Sequence, residues 1–207
     1  TYKKLKENNI QTPSYKIVEE ENLLEKEIEN IFISYNEIVV KPSNSRGGRN
    51  VFIISNKISG YEKYDNKREI LTDYDNFKKN FKKELIKDYP LIVMNRLKDP
   101  VHDLDLLGWK GNALRVIPRK RFNSGVPNDG HLLIEDEKLI NLGKKIINIF
   151  NPSWLYDCDI MYDENNIPQV LEINPRPSGS MTVPIAAGFP LIRDLLFLSR
   201  NAEIDNS

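Results

Sequence analysis

Apolar and polar positions along this chain follow two periods, and the two are intermixed. "EENLLEKEIENIF" carries Leu23, Leu24, Ile28, Ile31 and Phe32 at helical spacing with a polar opposite face. "DYDNFKKNFKKELIKDY" sets Phe77, Phe81 and Leu85 at i, i+4 and i+8, which predicts a second helix. "LLIEDEKLINLGKKIINIFN" predicts a long amphipathic helix ended by Asn151-Pro152, and "PLIRDLLFLSR" a final one. Thr1 to Asn9 also reads as helical, stopped by "NNIQTP". Strands are predicted for "SYKIV", "EIVVKP", "VFIIS" and "PLIVMNRL", the last broken by "KDPVH". "EIVVKP" and "VFIIS" flank "SNSRGGRN", a hairpin with a glycine-rich tip. "DLDLLGWKGNALRVIPRKRF" reads as two antiparallel strands around "WKGN", and "WLYDCDIMYDENNIPQVLEIN" as a hairpin turning at "DENN". "NKISGYEKYDNKRE" reads as a loop or solvated face and "NSGVPNDGH" as a loop.

Strands and helices mix without regular βαβ alternation, so the expected class is α+β in two lobes, not a doubly wound sheet. The lobes are expected at 1–91 and 92–207, with the boundary within Ile92 to Pro100. Composition changes this picture little. Lys+Arg and Asp+Glu are both 30, so no global basic field argues for nucleic acid or a membrane surface as partner. The single cysteine, Cys158, excludes an internal disulfide and reads as a buried apolar strand residue. The two histidines, His102 and His131, form no Cys–His signature with it. With no signal-peptide pattern and no long apolar run, the cytoplasm is the expected compartment. The chain opens inside a helix and without methionine, so an upstream segment is expected.

Two stretches carry candidate chemistry. In "VVKPSNSRGGRNVFI" a lysine at a strand end precedes a Gly-Gly tip. Glycines let backbone N–H groups approach phosphate oxygens, and Lys41 adds a point charge. The order differs from a Walker loop, and a Gly-Gly tip is also an ordinary hairpin device. In the terminal hairpin, alternation puts Asp157 and Asp159 on one face of a strand, and Glu172, Asn174 and Arg176 on one face of its partner. Converging carboxylate and amide oxygens suit Mg²⁺, and an arginine beside them suits a phosphate or carboxylate. A solvated face with a salt bridge is the plainer alternative.

On these residues the chain resembles the ATP-grasp superfamily, in its carbamoyl-phosphate-synthase-like and carboxylate–amine ligase branch. The resemblance runs in order through "IVVKPSNSRGGRNV", "LIVMNRL", "YDCDIMYDENNIPQVLEINPRPSGS" and "AAGFPL", with "LEINPRPSGS" the specific part. It implies two α+β lobes gripping ATP, with Mg²⁺ (or Mn²⁺) as the ion. By position it implies that Lys41 reaches the phosphates and that Ser45, Arg46, Gly47, Gly48 and Arg49 form a flap over them. It implies a hinge at Met94, Asn95, Arg96 and Leu97 whose backbone reads the adenine. Asp159, Glu172 and Asn174 correspond to the metal ligands, with Asp157 an alternative to Asp159. Arg176 corresponds to the arginine that steadies the transferred phosphoryl group, and Arg119 to a phosphate-facing cation. The hinge departs from the family pattern: Asn95 stands where glutamate is usual. His102 or Asp103 must serve for the usual acidic ribose contact. Biotin carboxylases carry "P-R-H" at this place, and a core role for His102 stays equally open.

The reaction the resemblance implies is ADP-forming ligation. A carboxylate or bicarbonate becomes an acyl phosphate, and an amine displaces phosphate. The implied partners are small-molecule acids and amines, with a homodimer or an upstream domain as candidate assemblies. A non-catalytic ATP-binding module and a small-molecule kinase of the same fold are the competing readings.

Overall fold

The short helix α1 (Tyr2–Glu7) opens the chain and is buried through Leu5. It belongs, in space, to the chain's later half. A computed structural model describes residues 1–44, 50–63, 69–126 and 129–204. Their backbone forms two units, Pro13–Leu97 and a second built from Thr1–Thr12 with Lys98–Ser207. The early helix joins the later unit because Leu5 and Ile10 are buried among its apolar residues, and the Val170 amide donates to the Gln11 carbonyl.

In the first unit, β1 (Tyr15–Val18) is followed by α2 (Glu21–Phe32), β2 (Glu37–Pro42), β3 (Val51–Ser55), β4 (Tyr61–Lys63), β5 (Glu69–Thr72), α3 (Tyr74–Asn76) and β6 (Leu91–Asn95). The sheet order is β1-β6-β2-β3-β5-β4, antiparallel except for the parallel β3–β5 pair. Alternation in β2 buries Ile38, Val40 and Pro42 and turns Lys41 to the other face. Leu24, Ile28 and Ile31 of α2 share one core with them.

The helix expected over residues 73–89 is present only in part. After α3 the chain makes a π-helical turn, Phe77–Phe81, and then a 3₁₀ segment, Lys82–Asp88. A wide turn followed by a tight one averages toward the α repeat, so the apolar period cannot separate them. Phe77, Phe81 and Leu85 still form one buried stripe, and Phe52 meets both phenylalanine rings at 5.5 and 5.4 Å. The stretch expected as a loop from residue 56 supplies the edge strand β4. Among the described residues it pairs with β5 alone, and its Tyr61 ring packs edge-on against Phe81 at 5.3 Å.

The second unit continues with β7 (Lys98–Trp109), β8 (Asn112–Arg121), β9 (His131–Leu133), α4 (Glu137–Phe150), β10 (Trp154–Tyr162), β11 (Pro168–Asn174), α5 (Thr182–Ala186) and α6 (Leu191–Ser199). Its sheet is wholly antiparallel, in the order β11-β10-β7-β8-β9. The strand of "PLIVMNRL" has already ended at Asn95, and "KDPVH" opens β7 instead of forming a loop. Pro100 falls where the β7–β10 register shifts, between the Lys98 and His102 pairs, so its missing N–H removes no ladder bond there. The long helix begins later than its apolar pattern, because Asp136 caps it by accepting from the Lys138 and Leu139 amides at 2.9 and 3.2 Å. Leu132 and Leu133 instead pair with β8.

The two faces of this sheet differ. Leu104, Leu106, Cys158, Ile160 and Val170 pack with Leu139, Leu142, Ile146 and Ile147 of α4. On the other face Leu107, Ile117 and Leu155 meet Leu191 and Leu195 of α6. The positions that continue this second face along the strands are Asp103, Asp105, Arg119, Arg121, Asp157 and Asp159.

Candidate active site

Register assembles the acidic site. Asp157 stands opposite Asp105 on β7 and Asn174 on β11, and Asp159 opposite Asp103 and Glu172. A bulge leaves Leu171 unpaired between the Val170 and Glu172 pairs, so Val170 stays in the core while Glu172 faces the carboxylates. One oxygen each of Asp103, Asp157 and Asp159 lies within 4.8 Å of the others. Asp103 and Asp157 are buried, at 1% and 4% exposure.

Two arginines of β8 answer this charge. Arg119, fully buried, donates from Nε to Asp105 Oδ2 at 2.6 Å and from Nη2 to Oδ1 at 3.3 Å. Its Nη1 reaches His131 Nδ1 and Ser180 Oγ, both at 2.9 Å. Arg121 donates from Nε to Asp103 Oδ2 at 2.9 Å and from Nη2 to Asp159 Oδ1 at 2.9 Å.

The carboxylates are pushed apart in acidity. Burial pushes Asp157 up to about 6, helped by the charges of Asp103 and Asp105. Burial likewise raises Asp159, against Arg121, and raises Asp105, against Arg119. For Asp103 burial acts in the same direction, but hydrogen bonds from His131 and Arg121 outweigh it and hold the carboxyl well below its usual range. Burial also raises the Cys158 thiol far above its usual value, which suits an inert core residue.

The residues expected from the sequence are distributed as follows. Asp159, Glu172 and Asn174 converge, with Asn174 Nδ2 donating to Glu172 Oε1 at 2.8 Å. Arg176 is exposed, with Nη1 3.4 Å from Asp157 Oδ2. Asp103, expected beside a ribose, belongs to the acid cluster, both its oxygens held by Arg121. Arg119, expected to face phosphate, is enclosed by protein partners. His102 turns to the α4 face, its ring 5.2 Å from that of Tyr162. There it lines an open pocket of about 640 Å³ with Pro100, Asp136 and Tyr162, away from the carboxylates. In the other unit Lys41 is half-buried at the end of β2, opposite Ile92. Met94 pairs with Tyr15 and Val39. The Asn95 side chain accepts from the Ser14 amide at 2.8 Å, and the Asn95 and Arg96 amides donate to the Ser14 and Glu37 carbonyls. Asn95 is thus tied into its own unit, and Leu97 is buried. Ser45, Arg46, Gly47, Gly48 and Arg49 lie outside the described residues.

The sequence pattern alone gives no signal for Arg121 or Asp105 as site residues. "RKR" alternation does place Arg119 and Arg121 on one face, but their partners follow only from the β7–β8 register.

The model of the family described as ATP-grasp in the biosynthetic pathway with Ter operon matches residues 87–205, more than half of the chain. The chain belongs to this ATP-grasp family. Solved structures similar to this ATP-grasp chain include the N5-carboxyaminoimidazole synthetase from Staphylococcus aureus complexed with ADP. It is 18% identical, has a TM-score of 0.63, and the match covers 99% of this chain and 50% of that one. The D-alanine-D-alanine ligase from Coxiella burnetii is 15% identical with a TM-score of 0.66, over 94% of this chain and 54% of that one. The L-amino acid ligase from Bacillus licheniformis is 16% identical with a TM-score of 0.58, over 94% and 45%. These likenesses show the α+β ATP-grasp fold, and the ATP-grasp chain spans about half the length of these proteins. No curated protein matches it. No helix among its described residues is long and apolar enough to cross a membrane.

Proposed function

We propose that this ATP-grasp chain carries the nucleotide and metal machinery of an ADP-forming ligase that activates a carboxylate, or bicarbonate, for attack by an amine. The supporting observation is the oxygen-rich face made by Asp103, Asp157, Asp159, Glu172 and Asn174, flanked by Arg121 and Arg176. The residues fit a hard divalent cation: the donors are oxygens, and among the described residues no partner reaches the buried Asp157 Oδ1. Asp159 and Glu172, with Asn174, would hold Mg²⁺ there, and Mn²⁺ would serve in its place. Bound Mg²⁺ supplies neutralisation of phosphoryl charge. The ADP complex of a structural relative and the family's ligase neighbours support the nucleotide and the ligase class.

The chain's own groups position and compensate charge. In the assigned reaction an acid oxygen takes the γ-phosphoryl group, ADP departs, and the amine nitrogen replaces phosphate at the acyl carbon. Arg176, exposed beside Asp157, would steady the acyl phosphate, and Lys41 the polyphosphate. The hinge 94–97 and the stretch 45–49 would serve adenine and phosphates, as the family resemblance implies. No nucleophilic side chain is required.

The test is ADP release by the full-length protein with a panel of carboxylates and amines, with hydroxylamine as acyl-phosphate trap. Hydroxamate formation supports the ligase. ADP release with a stable phosphate ester and no hydroxamate would make it a kinase, and nucleotide binding without turnover a binding module. Glu172→Gln should lower turnover by at least about a hundredfold, a loss reached even by groups that only support a metal ligand. Because Glu172 is exposed, the melting temperature without nucleotide should move by no more than about 2 °C. A large loss of apo stability with turnover retained would make Glu172 structural.

A further inference from the structure

Three carboxylates gathered on one sheet face, two of them buried, need cations nearby. Arg121 and Arg119 provide them in different ways. Arg119 is fully buried and held at Asp105, His131 and Ser180. These hydrogen-bond partners of its guanidinium all lie outside the cluster of Asp103, Asp157 and Asp159. Arg121 sits at the last position of β8, its side chain 11% exposed, and its bonds go to the cluster itself. Three of those contacts go to Asp103 and a single one, at 2.9 Å, to Asp159 Oδ1. Asp103 is the anchor, and the Asp159 contact is the one that can be released without freeing the side chain.

We propose that Arg121 is a built-in counter-cation of the acid cluster, occupying Asp159 until a divalent ion takes that carboxylate. This inference rests on reading the cluster as a divalent-ion site. An oxygen of Asp159, the carboxylate that Arg121 binds, lies within 4.8 Å of oxygens of Asp157 and Asp103, and Glu172 stands directly across the ladder. An ion bound there would sit within a few ångströms of the guanidinium, a like-charge contact that either party must relieve. The Nε and Nη2 contacts to Asp103 keep Arg121 at the site, so the single contact to Asp159 can be given up to an ion without freeing the side chain. The consequence is competition: Arg121 stabilises the ion-free fold and weakens divalent binding in the absence of nucleotide.

The experiment uses Mn²⁺ alone, without nucleotide, on the full-length protein, reading Mn²⁺ binding by its electron paramagnetic resonance signal together with the melting temperature. Arg121→Gln should melt lower than wild type without metal, regain most of the difference with Mn²⁺, and bind Mn²⁺ at least about tenfold more tightly. Asp159→Asn should lose that binding, which locates the ion at the cluster. Equal or weaker Mn²⁺ binding by Arg121→Gln, with wild type binding normally, would overturn the inference and leave the site reading intact. Absence of Mn²⁺ binding in wild type and variant alike, with and without ATP, would instead overturn the site reading. Should Arg121→Gln fail to fold, Arg121→Lys decides. Its ammonium keeps the charge but cannot span both carboxylates, so Mn²⁺ binding should still tighten, and unchanged affinity would count against the proposal.

Discussion

Asp157→Asn should make this protein more stable at neutral pH while impairing its chemistry. Asp157 is 4% exposed, its carboxyl is pushed up to about 6 by burial and by Asp103 and Asp105, and no described partner reaches its Oδ1. A carboxyl raised from 3.8 to about 6 carries roughly 3 kcal/mol against its ionised form, at about 1.4 kcal/mol for each unit. The asparagine keeps the shape and removes that charge. It also removes the attraction to Arg176, whose side chain is 57% exposed at 3.4 Å, an interaction that contributes no more than about 1 kcal/mol. The raised value already contains the opposing pull of Arg176, so the expected gain at pH 7.5 is up to about 3 kcal/mol.

The sign follows from proton linkage. Between about pH 4 and pH 6 the folded wild type holds a proton on Asp157 that the unfolded chain has released, so this group's contribution falls as pH rises through that window. Below it both states are protonated, and wild type and variant should be nearly equal. The assay is urea unfolding of both proteins at pH 4 and pH 7.5, with divalent ions removed by chelator. A variant that is less stable at pH 7.5, or that differs from wild type equally at both pH values, would refute the reasoning. ADP release should fall in the variant wherever Asp157 takes part in holding the ion.

Two further predictions concern what holds the sheet under this face. Asp136→Ala removes the cap of α4 and the acceptor of the Tyr162 hydroxyl, so urea unfolding should show a loss of about 2 kcal/mol. Gly143→Ala would gain up to about 1 kcal/mol in helix propensity, but its Cβ would lie 2.5 Å from Val116 Cγ1 and 2.9 Å from Leu106 Cδ2. Val116 is β-branched and yields little, so overpacking should win and leave the variant less stable by about 1 kcal/mol. A stabilised variant would show that the α4–β8 packing gives way more easily than its contacts imply.

What could be read from the sequence was what depends on local period and turn chemistry. "WKGN" marks the β7–β8 turn because Lys110 and Gly111 both take positive φ, 49° and 80°, which glycine favours in two-residue hairpins. Alternation correctly grouped Glu172 with Asn174, since the bulge that could have disturbed it falls before them, at Leu171. What could not be read depends on which strands become neighbours. Asp103 and Asp105 join the site only because β7 lies between β10 and β8, and Arg121 finds Asp159 across that strand. Nor does adjacency in sequence reveal that Leu5 and Ile10 pack with α4 of the later unit.

The same arrangement explains why a sheet would keep so costly a face. Replacing buried ion pairs by apolar residues is often neutral or stabilising, and the neighbouring positions Leu107, Ile117 and Leu155 show that this sheet accepts apolar packing on that side. At Asp103, Asp157 and Asp159 it retains carboxylates instead, two of them buried, with Arg121 bound to Asp103 and Asp159 and Arg176 beside Asp157. A local rule broken at one place, and compensated by an arginine brought in from the neighbouring strand, is what a ligand site demands and a structural core does not. Stability and chemistry therefore make opposite demands on Asp157. A variant gaining the first while losing the second would separate a site from a solvated salt-bridge face, where both should stay nearly unchanged.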